Sequence, residues 1–159
     1  MSAHHAVDVP TELERFTRVC RESKTPVTHQ RLAIYRALLE SHAHPDAEAI
    51  HQALKRRYPT LSAATVYKTI ELLEGLGLVR KVPAAGPTRR FDANRHPHHH
   101  LSCVRCHALT DIESDELSVL QLPKGLDFQV LEYSIQFSGV CARCGAMDEH
   151  STMNEGAGR

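Results

Sequence analysis

Four of the five cysteines in this chain form two Cys-x-x-Cys pairs, Cys103 with Cys106 and Cys141 with Cys144, and 34 residues separate the pairs. Two such pairs can supply four thiolates to one zinc ion, which accepts a closed tetrahedral sulfur site because it is borderline-soft. Binding at such a site releases about 10–16 kcal/mol, which becomes folding free energy. The spacing therefore predicts a structural Zn²⁺ site. Structural disulfides and thiol redox chemistry are the alternatives, and an oxidising compartment would favour them.

A second cluster of metal ligands lies upstream of the first cysteine pair, in the segment 92–100 (DANRHPHHH). On an extended strand, His98 and His100 share one face and His99 lies on the other. Imidazole nitrogens and carboxylate oxygens suit Fe²⁺, Mn²⁺ or Zn²⁺. We therefore predict a second metal site with the ligands Asp92, His98, His100 and Asp111, a set that His44 of the first half of the chain could complete. The alternatives are adventitious binding by a surface histidine run and, for His44, a histidine that caps a helix.

The first cysteine pair also matches another motif, and the fifth cysteine, Cys20, lies outside both pairs. Residues 103–107 also match the Cys-x-x-Cys-His signature of covalent haem attachment. That chemistry requires export, and the second Cys-x-x-Cys pair already explains the first. Cys20 lies on the apolar side of a predicted helix, so we assign it to the core.

Composition narrows the class of protein. The 159 residues fit one ordinary domain or two small ones. No apolar run approaches the roughly 18 residues of a membrane span, and residues 1–10 show no signal-peptide pattern, so a cytoplasmic location is expected. The net charge of zero divides unevenly: residues 1–91 carry 14 Lys and Arg against nine Asp and Glu, whereas residues 92–159 carry five against ten. The basic half suits a phosphate-bearing partner and the acidic half suits cations.

The first half of the chain is predicted to be helical, because apolar residues recur at helical spacing in four segments, about 10–23, 29–41, 47–54 and 63–75. Thr28, Asp46 and Ser62 are suited to cap the last three segments. The fourth helix turns Val66, Ile70 and Leu73 inward. Its opposite face is small, hydroxylic, aromatic and cationic, which is unusual for an exposed helix face.

Two short strands, about 79–82 and 88–91, follow the fourth helix and are joined by a proline-containing turn. Helices followed by a basic hairpin indicate a winged helix-turn-helix, in which one helix enters the DNA major groove and the hairpin wing contacts the backbone. The predicted DNA-binding residues are Ser62, Ala64, Thr65, Tyr67, Lys68, Arg80 and Arg89. The alternative is a helical domain whose charged hairpin only confers solubility.

The second half changes in character. A hairpin over about 100–103 and 109–112, a short helix over 115–122 and an alternating strand over 129–137 are predicted. A module this small buries little core, so a zinc ion or a dimer partner is expected to stabilise it. The predicted fold class is α/β (α+β), with an N-terminal winged helix-turn-helix domain and a small α/β dimerisation domain that holds the Cys₄ zinc site. We place the domains at 1–91 and 98–147, with a hinge at 92–97 and a disordered tail at 148–159.

Several stretches within about residues 10–145 are highly specific when taken together: Thr28-His-Gln-Arg31, 44–50 (HPDAEAI), 62–67 (SAATVY), 90–92 (RFD), 98–103 (HHHLSC) and both cysteine pairs. In these stretches the chain resembles the ferric uptake regulator family of metal-dependent bacterial repressors. The resemblance implies a homodimer that binds palindromic operator DNA and represses when its regulatory metal is bound. By position it assigns that metal to the five His and Asp residues above, and it assigns base or sugar contact to Tyr67.

The resemblance also bears on what is sensed. Zinc-uptake regulators usually have a cysteine near the position of Asp92, and iron-uptake regulators tend to have Glu at the position of Asp111. Asp at the latter position resembles the peroxide-sensing branch, in which bound Fe²⁺ reacts with hydrogen peroxide and a ligand histidine becomes 2-oxo-histidine. We therefore expect a peroxide-sensing repressor, with an iron-uptake repressor or a Zn²⁺- or Mn²⁺-responsive one as alternatives.

Other expectations concern what is missing. A further metal site found in many members would fall on Pro97, Ser118 and Tyr133, so we predict its loss, and the metal binding of His99 and His107 stays open. A zinc-dependent enzyme that uses Asp92, His98 and His100 is the alternative from another class. It would need a general base and a substrate pocket. No motif supplies the base, so we expect no enzyme, no membrane partner and no small-molecule substrate beyond metal ions and hydrogen peroxide.

Overall fold

The computed structural model describes residues 7–83, 88–114, 117, 123, 125, 127–130 and 133–146. The described chain divides into two compact units: the first contains residues 7–83 and 88–96, and the second begins at residue 97. Within the residues described, no helix is both long enough and apolar enough to cross a membrane.

The first unit begins with four helices, α1 (Val9–Glu22), α2 (His29–Leu39), α3 (Ala47–Leu54) and α4 (Ala63–Gly75). Thr28, Asp46 and Ser62 are the N-caps of α2, α3 and α4, as predicted. Each side-chain oxygen accepts the backbone N–H three residues later, at 2.7–3.2 Å. Such a cap stabilises a helix by about 1 kcal/mol. The three caps therefore determine where α2, α3 and α4 begin, and the last of these helices carries the exposed polar face.

One apolar core joins the four helices. Val66, Ile70 and Leu73 of α4 are buried, which confirms the predicted inward face. The rings of Phe16 and Tyr35 lie 5.5 Å apart between α1 and α2. The other fully buried large side chains are Ile34, Leu78 and Cys20. With its apolar side packed in this core, α4 presents its other side outward.

The wing consists of β1 (Arg80–Val82) and β2 (Arg90–Asp92), paired antiparallel with Arg80 opposite Asp92. β1 begins one residue later than predicted, and Val79, just before it, packs in the helical core. The backbone N–H of Phe91 donates to the carbonyl of Pro45 at 3.2 Å, which attaches β2 to the loop before α3. Asp92, which was expected to belong to the hinge, is instead the last residue of β2. The turn at 84–87 lies outside the described residues.

The second unit contains β3 (His99–Cys103), β4 (Leu109–Ile112) and β5 (Gln136–Gly139) in the order β4-β3-β5. The predicted β3–β4 hairpin is present. The predicted strand at 129–137 is displaced: β5 begins at Gln136, because the N–H of Ile135 donates to His99 Nδ1 at 3.2 Å instead of to a backbone carbonyl. The predicted helix at 115–122 lies, apart from Leu117, outside the described residues, as does the tail at 148–159.

Candidate metal centres and nucleic-acid interface

The two Cys-x-x-Cys pairs converge in the second unit. The four Sγ atoms of Cys103, Cys106, Cys141 and Cys144 all lie within 4.8 Å of one another, and those of Cys106 and Cys141 are 3.7 Å apart. A tetrahedral ion with metal–sulfur bonds of about 2.3 Å spaces its sulfurs about 3.8 Å apart. The cluster therefore has the dimensions of a Cys₄ zinc site.

Sheet topology brings the two pairs together. β5 runs parallel to β3, and Cys103 lies opposite Gly139 in the register. Cys141 therefore arrives at the sheet end where the first pair turns, and one helical turn over 142–146 brings Cys144 to the same place. Arg105 Nη1 donates to the carbonyl of Cys144 at 3.1 Å, which links the two turns.

The protonation chemistry of the cysteines also fits a divalent cation. Backbone hydrogen bonds from Cys106, Cys141 and Arg105 lower the pKa of Cys103 to about 5, and the N–H of Cys141 lies 3.4 Å from Cys103 Sγ. The neighbouring sulfurs of Cys141 and Cys106 raise the pKa of Cys144 to about 12. A backbone hydrogen bond from Ala108 likewise lowers the pKa of Cys106, so the backbone stabilises thiolates at Cys103 and Cys106, whereas a thiolate at Cys144 is opposed. A bound zinc ion supplies the charge that lets all four ionise.

His107 follows the second cysteine of the first pair in a left-handed conformation, with φ of 57°. Its N–H donates to the carbonyl of Cys103 at 2.9 Å and closes the turn. The side chain is exposed, and among the described residues it belongs to no cluster of metal-ligand side chains. In this structure the backbone of His107 completes the turn of the first cysteine pair.

The first unit holds two of the predicted regulatory ligands, His44 and Asp92. Both are buried, and His44 Nδ1 lies 3.9 Å from Asp92 Oδ1. Two further groups orient the carboxylate: the N–H of Asn94 donates to Oδ1 at 2.7 Å, and Arg80 Nη2 lies 3.6 Å from Oδ2. A nitrogen and a carboxylate donor are thus held side by side at the base of the wing.

His44 has an unusual backbone conformation. Its φ is 44°, in the left-handed region, and Pro45 follows it. A non-glycine residue in a sparsely populated conformation costs about 1–3 kcal/mol and persists where surrounding structure enforces it, which is common at functional sites. Here Arg90 Nη1 donates to the carbonyl of His44 at 3.4 Å. The strain is therefore a second observation, besides burial, that distinguishes His44 from a surface histidine.

The second unit holds the other three predicted regulatory ligands. His98 Nε2 and His100 Nε2 are 3.1 Å apart, and they lie 3.9 and 3.7 Å from Asp111 Oδ1. His100 pairs with Asp111 across the β3–β4 ladder, so the hairpin register sets this arrangement. Donors bonded to one ion at about 2.1 Å lie about 3.0–3.5 Å apart. Two buried imidazoles and a carboxylate are therefore close to the spacing of ligands that share a metal.

His99 is on the opposite side of β3, as the two-residue period of a strand requires. Its Nδ1 accepts the N–H of Ile135, and its ring stacks on Tyr133 at a centroid distance of 6.0 Å. The Nδ1 lone pair is thus used in a structural hydrogen bond. This arrangement gives His99 a role in positioning β5.

The exposed face of α4 contains the predicted DNA-reading residues. Tyr67 is 51% exposed, and Ala64 and Lys68 are also exposed. Thr65 is half-buried, and the Ser62 hydroxyl caps the helix. A groove of about 360 Å³ runs from this face to α2 and is lined by Pro26, Thr28, Gln30, Arg31, Thr65, Lys68 and Thr69. Arg31, which is not among the predicted DNA-binding residues, also lines this groove, and its guanidinium donates to the carbonyl of Pro26.

The wing cations differ in their surroundings. Arg80 Nη2 donates to the carbonyl of Asn94 at 2.9 Å as well as approaching Asp92. Lys81 forms an ion pair with Glu74 at 3.2 Å, whereas Arg89 is exposed. Arg80 and Arg89 are both predicted to contact phosphate, but their surroundings differ. Arg80 lies against the buried carboxylate of Asp92, whereas Arg89 is exposed to solvent.

The sheet of the second unit also presents an exposed apolar face. Leu101 of β3 and Phe137 of β5 are register partners, 43% and 40% exposed. Val104 and Val140 follow these strands and are 51% and 48% exposed. Large apolar side chains exposed side by side on one face of a sheet, as Leu101 and Phe137 are, often mark a protein contact.

Comparisons with known proteins agree on one family. Residues 22–138 match the sequence model of the Ferric uptake regulator family. The peroxide-responsive repressor PerR of Staphylococcus epidermidis is 36% identical over 135 residues, which cover 84% of this chain and 90% of that protein. The structure of the Helicobacter pylori ferric uptake regulator Fur, which has three functional metal binding sites, superposes with a TM-score of 0.74 at 18% identity and covers 90% of this chain and 97% of that one. PerR of Streptococcus pyogenes, a peroxide-sensing gene regulator, gives a TM-score of 0.51 at 25% identity and covers 91% and 98%.

Proposed function

The chain belongs to the Ferric uptake regulator family, and we propose that it is a cytoplasmic homodimeric repressor that binds palindromic operator DNA when a regulatory metal is bound. Membership makes it a metal-responsive transcription regulator and not an enzyme. The observation that carries the finer proposal is the division of donor side chains: His44 and Asp92 in the first unit, and His98, His100 and Asp111 in the second.

One Fe²⁺ or Mn²⁺ ion bound to both donor sets would join the DNA-binding unit to the dimerisation unit. A ligand shifts a conformational equilibrium only through different affinities for the two states. An arrangement that brings all five donors to one ion binds that ion more tightly than an arrangement that offers only one set. The metal therefore favours a single orientation of the winged helices, and we infer that this orientation matches the operator.

The structural Zn²⁺ has a separate role in this proposal. It is held by Cys103, Cys106, Cys141 and Cys144 within the second unit, and no regulatory donor belongs to that cluster. Thiolates select zinc, whereas imidazole and carboxylate ligands allow Fe²⁺ or Mn²⁺. Two chemically distinct sites thus let one metal remain bound while the other responds to conditions.

DNA recognition is assigned to the exposed face of α4 and to the wing. Tyr67 and Ala64 would reach base or sugar, and Ser62, Thr65 and Lys68 would support them from the same helix. Arg89 and Arg80 would contact phosphates from the wing, and Arg31 in the groove beside Lys68 adds a further cation. Phosphate contacts of this kind set affinity and orientation, whereas the helix face reads sequence.

We further propose that the protein senses hydrogen peroxide, on the strength of its similarity to peroxide-responsive repressors and of the adjacent imidazoles of His98 and His100 beside Asp111. Bound Fe²⁺ supplies the redox chemistry. In net terms, one oxygen atom passes from hydrogen peroxide to a ring carbon of a ligand histidine, and water is the other product. An oxidised ring is a poorer ligand, so repression ends.

The test is to load the zinc-containing protein with Fe²⁺, add a small excess of hydrogen peroxide, and measure peptide masses and DNA binding together. A gain of one oxygen on a peptide that holds His44, His98 or His100, with loss of DNA binding, is expected. The Mn²⁺-loaded protein is the control and should remain unmodified. Unmodified histidines in the iron form would instead indicate an iron-responsive repressor, and oxidation confined to the zinc cysteines would indicate a thiol switch.

The exposed sheet face predicts where the dimer forms. A second copy of this chain is the expected occupant, because the family is dimeric and a small sheet needs a partner to bury Leu101 and Phe137. The double variant Leu101→Glu/Phe137→Glu should raise the dimer dissociation constant by about 100-fold or more, since each buried large side chain contributes about 1.5–3 kcal/mol. Sedimentation analysis measures it. Val27→Glu, at a 38% exposed position in the first unit, is the control and should leave the dimer intact. A dimeric double variant would refute this interface.

A further inference from the structure

Arg80 connects the wing to a regulatory ligand. It lies directly opposite Asp92 in the β1–β2 ladder, and its Nη2 atom is 3.6 Å from Asp92 Oδ2. The same nitrogen donates to the carbonyl of Asn94 at 2.9 Å, and the N–H of Asn94 donates to Asp92 Oδ1 at 2.7 Å. The backbone amide of Asn94 thus hydrogen-bonds one oxygen of the buried carboxylate, whereas the guanidinium forms only an ion pair with the other oxygen, Oδ2, which accepts no hydrogen bond from the residues that the structure describes.

The two members of this ion pair differ in their freedom to leave it. The Asp92 side chain is 4% exposed, whereas that of Arg80 is 40% exposed. A buried carboxylate is costly unless a cation or hydrogen-bond donors compensate its charge. A divalent cation bound to Asp92 would provide that compensation itself and would repel the guanidinium. Arg80, which has a long flexible and partly exposed side chain, is the group that can turn outward.

We propose that Arg80 is shared between Asp92 and a DNA phosphate, and that metal binding at Asp92 shifts it toward the phosphate. This inference rests on the proposed function, since it assumes that Asp92 binds the regulatory metal and that the wing meets DNA. It adds a second route by which the metal promotes DNA binding: besides orienting the units, the metal increases the positive charge that each wing presents. Arg80 is then a positioning residue that also limits metal affinity.

Arg89 provides a matched control. It is a wing arginine like Arg80, and it is exposed. It is absent from the hydrogen bonds and ion pairs found at Asp92. Replacing either arginine by glutamine removes one wing charge, but only the change at Arg80 removes a cation from beside the carboxylate. Differences between Arg80→Gln and Arg89→Gln therefore report the proposed coupling and not the loss of charge alone.

The first measurement is Mn²⁺ affinity of the zinc-containing dimer without DNA, by titration calorimetry. A unit charge about 4–5 Å from a divalent ion changes the affinity for that ion by about 20-fold even with the screening of bulk water, because the interaction is twice that between two unit charges. Arg80→Gln is therefore expected to bind Mn²⁺ up to about 20-fold more tightly than wild type, and Arg89→Gln should match wild type. Unchanged or weaker Mn²⁺ binding in Arg80→Gln would overturn the proposal.

The second measurement is the salt dependence of binding to a short AT-rich palindromic duplex, with and without Mn²⁺. Each added phosphate contact steepens the slope of log affinity against log salt by about one. The increase in slope caused by Mn²⁺ should be smaller in Arg80→Gln than in wild type by about one per subunit. In Arg89→Gln it should equal that of wild type. If Mn²⁺ increases the slope equally in Arg80→Gln and Arg89→Gln, the inference about Arg80 is wrong but the proposed function stands. If Mn²⁺ does not change DNA binding by the wild-type protein at any salt concentration, the proposed function itself is wrong.

Discussion

The Cys141→Ala variant is expected to lose its zinc, to lose the folded second unit and to become monomeric. Cys141 lies 3.7 Å from Cys106 at the sulfurs, and its N–H also donates to Cys103. Zinc contributes about 10–16 kcal/mol at sites of this type, which is comparable to the whole stability of a typical domain. Three remaining thiols cannot retain that contribution. The first unit, which has its own core, should keep its helices.

Zinc content by elemental analysis, together with sedimentation and circular dichroism, measures this outcome. Cys20→Ala is the matched control, because Cys20 is a buried cysteine of α1 within the helical core. That variant should remain zinc-bound and dimeric, with a stability loss of about 1–2 kcal/mol from the small cavity. One zinc per subunit and an unchanged dimer in Cys141→Ala would contradict the Cys₄ assignment.

The His98→Ala variant is expected to keep its structural zinc while losing metal-activated DNA binding. The His98 side chain is buried, and its Nε2 atom lies beside that of His100 and near Asp111. Removing a direct ligand should weaken Mn²⁺ binding by about 100-fold or more, since even residues that only support a ligand account for 10–100-fold. The metal then binds too weakly to stabilise the one orientation of the two units that is proposed to bind DNA.

Calorimetric titration with Mn²⁺ and gel-shift assays on a palindromic duplex measure the two effects together. His42→Ala is the control, because His42 is an exposed histidine in the turn that precedes His44. It should bind Mn²⁺ and DNA like wild type. If His98→Ala retains wild-type Mn²⁺ affinity, His98 is not a regulatory ligand, and the three donors of the second unit do not act together.

Local signals in the sequence were sufficient for the helical part of the fold. The capping side chains of Thr28, Asp46 and Ser62 act within one helical turn of themselves, so their effects can be inferred without knowing the tertiary structure. The inward face of α4 follows in the same way from spacing alone. The Cys-x-x-Cys pairs carried the zinc prediction because their chemistry is specific whichever strands deliver them.

Features that depend on long-range contacts were displaced or missed. The start of β5 is set by the imidazole of His99, a side chain more than 30 residues away that occupies the N–H of Ile135. The placement of Arg80 against Asp92 depends on the strand register, which the composition of the wing does not reveal. The left-handed backbone of His44 is likewise enforced by its surroundings and leaves no trace in the spacing of residues.

The parallel pairing of β3 and β5 has a further consequence for how the chain is held together. The 34 residues between Cys106 and Cys141 include β4 and β5, and β5 ends beside the end of β3 at which the first cysteine pair turns. A zinc ion on both cysteine pairs closes this stretch into a ring without any covalent bond between sulfurs. A protease that cuts once within the ring would yield two fragments that stay associated through the metal and the strand ladder. A chelator would then separate them, so zinc acts as a removable cross-link that can replace backbone continuity.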